Sequence, residues 1–244
     1  MRDVELSLRL RSIADMVSPT TQVMDVGCDH GFLSIYLIQQ GIAKSALAMD
    51  VRTGPLEAAK QHVKEAGLEA QIECILSDGL HKAPMPKEDA TLVIAGMGGP
   101  LILRILEECP DIRDGFKELI LSPQSQIDEF RAGLREQKLR IVDENMVYDE
   151  GKYYTIVRCI PNQSDTSYVE FDSDGDVNRQ LCDKYGPVLL AQKNPVLLQY
   201  LKYEMGLLED VCSRLNSEVH ADRLSQVRAD LERNKLAILI CESK

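Results

Sequence analysis

The residues able to do chemistry are concentrated in a few turns. The first is Asp25-Val26-Gly27-Cys28-Asp29-His30-Gly31, which joins one apolar run (Val23, Met24, Val26) to another (Phe32, Leu33, Ile35, Tyr36, Leu37). A buried strand, a tight glycine turn and a helix start of this kind bring backbone N–H groups and a helix N-terminus against a ligand. Further along, Asp50 and Val51 close a second apolar run, and Ser77-Asp78-Gly79 closes a third. Ala95-Gly96-Met97-Gly98-Gly99 ends a fourth, and Ser122-Pro123-Gln124 ends a fifth. Three glycines within 96–99 mean that something approaches the backbone closely or that φ is positive there.

Spacing narrows the ligand. A dinucleotide fingerprint requires G-x-G-x-x-G. From Gly27 this chain reads Gly-Cys-Asp-His-Gly, which does not fit. It does fit the looser acidic-x-Gly-x-x-x-Gly turn of S-adenosylmethionine (SAM) enzymes, with Asp25 as the acidic residue and Asp29 where a middle glycine often sits. A helix-capping turn in some other α/β protein is the alternative on this segment alone. Asp50 follows Gly27 by 23 residues, at the end of the second strand. An acidic residue there accepts hydrogen bonds from both ribose hydroxyls, which points to an adenosine without separating NAD from SAM.

The bulk properties bound the answer. The 244 residues suffice for one large domain or a domain with an appendage. The 7 cysteines are an odd number with no Cys-x-x-Cys pair, which points to reduced thiols in a cytoplasm. The 4 histidines form no ligand-spaced cluster, so no metal is expected. The start of the chain lacks a basic region followed by an apolar run, so no signal peptide is expected, and no apolar stretch is long enough to span a membrane. The net charge of −11 argues against a nucleic-acid partner on its face. The acidity is uneven, however: residues 178–244 carry 10 Lys/Arg against 9 Asp/Glu, leaving 18 against 30 for the rest. The tail can therefore present a local basic face.

These turns need elements to hold them. Leu6, Leu10, Ile13 and Val17 form an apolar helical stripe over 3–17, with Asp3 as cap and Ser18-Pro19 as the stop. Strands are expected at 23–26, 46–51, 71–76, 91–95 and 118–121, with helices between them. Strands over 140–148 and 153–160 form a hairpin around Asp149-Glu150-Gly151-Lys152. The alternation predicts a doubly wound, Rossmann-like α/β sheet with an antiparallel edge hairpin, its ligand at the carboxyl ends of the strands. Residues 161–178 read as a polar linker; their Asp-rich run lacks the glutamate that would close a calcium loop. After Asn194-Pro195, the runs Leu198, Leu201, Met205, Leu208, Cys212, Leu215 and Leu224, Val227, Leu231, Asn234, Ile238, Cys241 alternate three and four apart. They predict a two-helix antiparallel coiled coil with Asn234 setting the register.

With these segments in hand, the chain resembles the TrmK family of bacterial tRNA (adenine(22)-N1)-methyltransferases nearly end to end. The resemblance rests on Ser7, Arg9 and Leu10, Asp29-His30, Gly54-Pro55, Asp78-Gly79-Leu80, Gly151-Lys152 with Tyr154, and Gly186-Pro187. Ala95-Gly96-Met97-Gly98-Gly99 is its most specific part. It implies a class I SAM methyltransferase domain over 1–163 and a helical, coiled-coil domain over 164–244 that serves as a tRNA-recognition arm. The implied protein is cytoplasmic, needs no metal or membrane, and acts as a monomer or weak dimer. The chain departs from the family at Gly31 and Ser34 (often Ala and Pro), at Asp50 (usually Glu), and at Ser122-Pro123-Gln124 (commonly Gln-Pro-Asn).

On this reading SAM is held by Asp25, Gly27, Cys28, Asp29, His30 and Gly31 at its methionine end. Asp50 and Val51 hold its ribose side; Ser77, Asp78 and Gly79 hold its adenine; Ala95, Gly96 and Met97 lie beneath it. Gly98, Gly99, Ser122, Gln124 and Tyr154 face the target base, and Asp29 and Arg9 are the catalytic candidates. Each has a plainer alternative. Asp29 caps the helix or binds the SAM ammonium, His30 packs against the turn, Arg9 meets phosphate or solvent, and Tyr154 is core. The absence of an aromatic after Ser122-Pro123-Gln124 favours ring-nitrogen over exocyclic-amine methylation. Rival classes are another RNA-base methyltransferase, a noncatalytic SAM- and RNA-binding module, and an NAD-dependent oxidoreductase. The last is disfavoured by the glycine spacing.

Overall fold

The structure is a computed structural model, and it describes residues 4–162, 175–215 and 220–243. The chain divides into two compact units, Met1–Ser167 and Tyr168–Lys244.

In the first unit, α1 (Leu8–Met16) precedes β1 (Val23–Val26), α2 (Phe32–Gln39), β2 (Ala46–Asp50), α3 (Thr53–Glu65) and β3 (Ile72–Leu76). Then come β4 (Thr91–Met97), α4 (Gly99–Glu108), the single turn α5 (Pro110–Arg113), β5 (Glu118–Pro123), α6 (Ile127–Glu136), β6 (Arg140–Asp149) and β7 (Lys152–Ile160). The seven strands form one sheet in the order β3-β2-β1-β4-β5-β7-β6. The first five are parallel, and β7 joins β5 and β6 antiparallel. This is the expected doubly wound sheet with an edge hairpin. Val23 pairs with Ala46 on one side and Thr91 on the other, so β1 lies at the switch point where the strand order reverses. β1, β2 and β5 are buried along their whole length, which is why they read as near-continuous apolar runs. Each fully buried Leu or Ile here contributes roughly 1.5–3 kcal/mol.

Several boundaries moved for local reasons. The α1 cap is Ser7, whose hydroxyl accepts from the Leu10 N–H; Asp3, the expected cap, lies outside the described residues. Ser122 and Pro123, expected in a turn, continue β5 by pairing with Ala95 and Met97. β4 likewise runs on through Gly96, where the register shifts between Ala95 and Met97. The hairpin turn narrows to Glu150 and Gly151, both at positive φ (47° and 82°), the backbone that a two-residue hairpin loop needs.

α1 is pinned at both ends. The Arg9 N–H donates to Asp149 Oδ2 at 3.0 Å, and the Ser18 N–H and hydroxyl both donate to the buried Glu118 carboxylate. Buried Arg131 and Glu144 pair at 2.8 Å and lock α6 to the hairpin.

The second unit contains α7 (Gly175–Tyr185), α8 (Pro187–Ala191), α9 (Pro195–Arg214) and α10 (Ala221–Glu242). Most of the expected linker lies outside the described residues, but its end, from Gly175, is already α7. Asn194 caps α9 as its sequence suggested, accepting from the Val196 and Leu197 N–H groups. α9 and α10 form the helical hairpin. Leu201, Leu224, Val227, Asn234 and Cys241 are buried, while Leu197 and Ala237 take the places expected for Leu198 and Ile238. The buried face is rotated because α7 and α8 share it: the Tyr185 hydroxyl donates to Glu204 at 2.7 Å, and Lys184 reaches Asp230 at 3.3 Å. The expected two-helix seam is therefore a packing of four helices. Asn234 Nδ2 donates to the Leu201 carbonyl and to Glu204.

Among the described residues no helix is long and apolar enough to cross a membrane, and no cluster of His, Cys, Asp and Glu is arranged to hold a metal. All 7 cysteines are free thiols.

Candidate active site at the carboxyl ends of the strands

A cavity of about 610 Å³ opens where β1, β2, β3 and β4 end. It suits a nucleoside-sized ligand. Its walls come from the turns already singled out, and local backbone chemistry explains their shape.

The first turn holds three residues at positive φ: Gly27 (76°), Asp29 (51°) and Gly31 (74°). The positive φ at Gly27 favours glycine, and a Cβ there would also push the flexible end of the Met97 side chain aside. Aspartate is among the few other residues that tolerate this backbone. The Gly27 and Cys28 N–H groups both donate to the Met49 carbonyl, tying the turn to β2. Asp50 is buried, and its carboxylate accepts from the Asp29 N–H at 3.2 Å and the Arg52 N–H at 2.8 Å. It clasps the turns after β1 and β2 together. The Asp29 side chain is exposed, 3.8 Å from His30 Nε2 and 3.9 Å from Arg52 Nη2.

Asp25 is the carboxylate of the site whose acidity the fold changes. It is 4 % exposed, and the Ser34 hydroxyl donates to it at 2.8 Å. Burial pushes its carboxyl up to about 6, the Ser34 hydrogen bond opposes that rise, and nearby Asp50 adds to it. Burial, with Asp25 and Asp50 beside it, also raises the Cys28 thiol, so Cys28 stays protonated and is no nucleophile.

On the far side, Ser77 is buried and donates its hydroxyl to the Gly79 carbonyl, shaping the turn that presents exposed Asp78. Gly96, at φ 80°, sits in the β4–β5 register shift. A Cβ built on it would lie 3.6 Å from Arg9 Nη1 and 3.9 Å from Gln124 Nε2. The Arg9 guanidinium rests over the Tyr154 ring, 5.1 Å from its centroid. Its Nη1 is buried with no hydrogen-bond partner. The Gln124 backbone N–H donates to the Met97 carbonyl at 2.9 Å, which fixes that turn against β4.

Of the residues expected at the site, Arg9, Asp25, Gly27, Cys28, Asp29 and His30 line the cavity. So do Asp50, Val51, Ser77, Asp78, Gly79, Ala95, Gly96, Met97 and Gln124. Five do not. Ser122 is fully buried and donates its hydroxyl to the Thr155 carbonyl, which anchors β5 to the hairpin. Gly98 caps α4, and Gly99 packs so tightly that a Cβ would lie 2.8 Å from the Ser125 carbonyl. Gly31 caps α2 against Ala59. Tyr154 supports Arg9 from beneath. Residues not anticipated from the sequence include Phe32, Arg52, Leu101, Arg104 and Ile105, together with Leu10, Val26 and Leu33. The spacing of Leu101, Arg104 and Ile105 on a helix that starts at the glycine run was the available signal.

The cavity fits SAM on its own chemistry. A buried, poorly neutralised carboxylate attracts a cation, and SAM carries a sulfonium and an ammonium. The turn leading into α2 suits its carboxylate, and Asp50 retains lone pairs for ribose hydroxyls.

Comparison with known proteins agrees. Residues 6–157 match the family model described as a methyltransferase domain. The Bacillus subtilis (strain 168) tRNA (adenine(22)-N(1))-methyltransferase is 29% identical over 236 residues, 95% of this chain and 96% of that protein. The crystal structure of the B. subtilis m1A22 tRNA methyltransferase TrmK superposes with a TM-score of 0.82 at 27% identity, covering 96% of this chain and 99% of that one. Streptococcus pneumoniae Sp1610, solved in complex with S-adenosyl-L-methionine, superposes with a TM-score of 0.82 at 29% identity, covering 96% and 100%. The sheet, the cavity and these matches establish that the chain belongs to the methyltransferase-domain family and, within it, to the TrmK family.

Proposed function

We propose that this protein methylates N1 of adenine 22 in bacterial tRNA, using SAM. The observation that carries the reading is the junction of two chemistries in one cavity. An acidic end (Asp25, Asp29, Asp50) suits a cationic donor, and the exposed backbone of Gly96 lines the same cavity beside Arg9 and Gln124. When bound, SAM supplies a methyl group already activated on a sulfonium. The chain's own task is therefore mostly alignment and exclusion of water. Asp25 faces the donor's positive charge, Asp50 and Val51 its ribose, and Ser77, Asp78 and Gly79 its adenine. The target base enters over Ala95, Gly96 and Met97. N1 of a paired or stacked adenine is inaccessible, so the base leaves its stack at a cost of a few kcal/mol. Arg9, pre-placed on Tyr154 with Nη1 unpartnered, donates to an acceptor on the incoming nucleotide. Transfer to N1 turns the sulfonium into a neutral thioether and moves its positive charge onto the adenine, and Asp29, exposed at the mouth, is the carboxylate that faces that charge.

The helical unit serves as the tRNA-recognition arm, with the domain boundary at 163/164. Arg223 and Arg228 are exposed on α10, consistent with contact to phosphate. The reading carries with it a cytoplasmic location and a monomer or weak dimer. Its test is transfer from labelled SAM to unmodified bacterial tRNA, with the product base mapped by mass spectrometry. N1-methyladenosine at position 22 supports it. Methylation of another base moves the substrate assignment, and SAM binding without transfer removes the enzymatic role.

A further inference from the structure

Gln124 stands where the family commonly has asparagine, a change that keeps a side-chain amide at this position. Its backbone is fixed on β4 by the 2.9 Å bond to Met97, and its neighbour Ser125 accepts from the Gly99 N–H at 3.1 Å. The side chain is exposed, lines the cavity and places Nε2 3.9 Å from where a Cβ on Gly96 would sit. Glutamine and asparagine share one faculty: a side-chain amide pairs with adenine N6 and N7 in two parallel hydrogen bonds. N6 and N7 form the edge of adenine next to N1, not N1 itself.

We propose that Gln124 selects adenine by this two-point pairing, Oε1 accepting from N6–H and Nε2 donating to N7, and so leaves N1 bare for methylation. The inference deepens the function proposed above and rests on it. Three consequences follow from the chemistry. Guanine presents two acceptors, O6 and N7, to the same amide, and the Oε1–O6 contact is repulsive. The exocyclic amine is occupied by Oε1, so the ring nitrogen is the free nucleophile. As positive charge develops on the base, N6–H becomes a better donor, and the bond to Oε1 strengthens in the transition state more than in the ground state.

The test is a two-by-two comparison of kcat/KM. The proteins are the full chain and its Gln124→Met variant; the substrates are tRNA with adenosine and tRNA with 7-deazaadenosine at position 22. The 7-deaza base lacks the N7 acceptor yet has a more basic N1, so any loss is not due to a weaker nucleophile. The wild type should lose about tenfold on the 7-deaza tRNA, and Gln124→Met should lose about ten- to hundredfold on the adenosine tRNA. The variant should lose little more on the 7-deaza tRNA, because the contact is already gone. Gln124 is exposed, and an unchanged thermal midpoint verifies the fold of the variant. Equal wild-type rates on both tRNAs, or losses that multiply, overturn the proposal and leave the methyltransferase reading standing. No wild-type transfer to the adenosine tRNA overturns both.

Discussion

Asp25 should make SAM binding depend on pH, and the size of the effect follows from the structure. Its carboxyl is raised from an ordinary 3.8 to about 6 because it is buried with only one hydroxyl donor. Such a rise disfavours the charged form by about 3 kcal/mol in the unliganded fold. The sign is fixed by linkage. Between these two values the folded protein holds a proton that the unfolded chain has released. The stability tied to Asp25 is therefore complete below about pH 3.8 and is lost as pH rises through about 6. At neutral pH the unliganded protein carries an ionised, poorly solvated carboxylate. A sulfonium and an ammonium placed in the cavity remove that penalty and return the group toward its ordinary range. Binding at about pH 5.5 must then expel a proton, which weakens the apparent affinity about fourfold relative to about pH 8. Asp25→Asn is close in shape but cannot titrate. The variant should be more stable than wild type without ligand, by about 2–3 kcal/mol at about pH 8 and not at all near pH 4. It should bind SAM more weakly at about pH 8, by up to about a hundredfold, through loss of the charge pair. Calorimetric titration of both proteins at the two pH values, in buffers of different ionisation heat, measures affinity and proton release together. Other groups at the mouth contribute to both proteins alike, so the difference isolates Asp25. Equal wild-type affinity at both pH values, or an identical pH dependence in Asp25→Asn, would refute the reasoning.

Gly96→Ala places a methyl group 3.6 Å from Arg9 Nη1 on a backbone at φ 80°. It should cost about 1–2 kcal/mol in thermal unfolding and reduce methyl transfer far more than SAM affinity. Asn234→Ala removes the donor to Leu201 and Glu204 inside the helical unit. A loss of about 1–3 kcal/mol in denaturant unfolding is expected, and no loss would show that the network is slack. A chain ending at residue 163 should keep SAM binding and lose tRNA binding in a mobility-shift titration; normal methylation by that fragment would take the recognition role away from the helices.

Much of the site was legible because turn chemistry is local. Gly27 and Gly31 in the first turn, Asp50 at a strand end and the glycines of 96–99 announce their backbone conformations through residue type and spacing alone. The alternation of apolar runs likewise sufficed for the doubly wound sheet. The misreadings share a cause. Ser122 was expected at the base because Ser122-Pro123-Gln124 stands at the position of the family's base-pocket turn, yet pairing with β4 and a bond to β7 bury it. Leu198 and Ile238 fit the helical spacing, but α7 and α8 turn the buried face toward Leu197 and Ala237.

The sequence by itself determined which turns are tight, which runs are buried and which carboxylates stand at strand ends, since each depends on neighbours within a few residues. Only the tertiary structure decided that Arg9 lies over Tyr154 beside Gly96 and Gln124, an arrangement held by a bond from Arg9 to Asp149 across 140 residues. It also decided that Asp25 is a weak acid, because desolvation depends on everything packed around a group, and no local pattern of residue types records that.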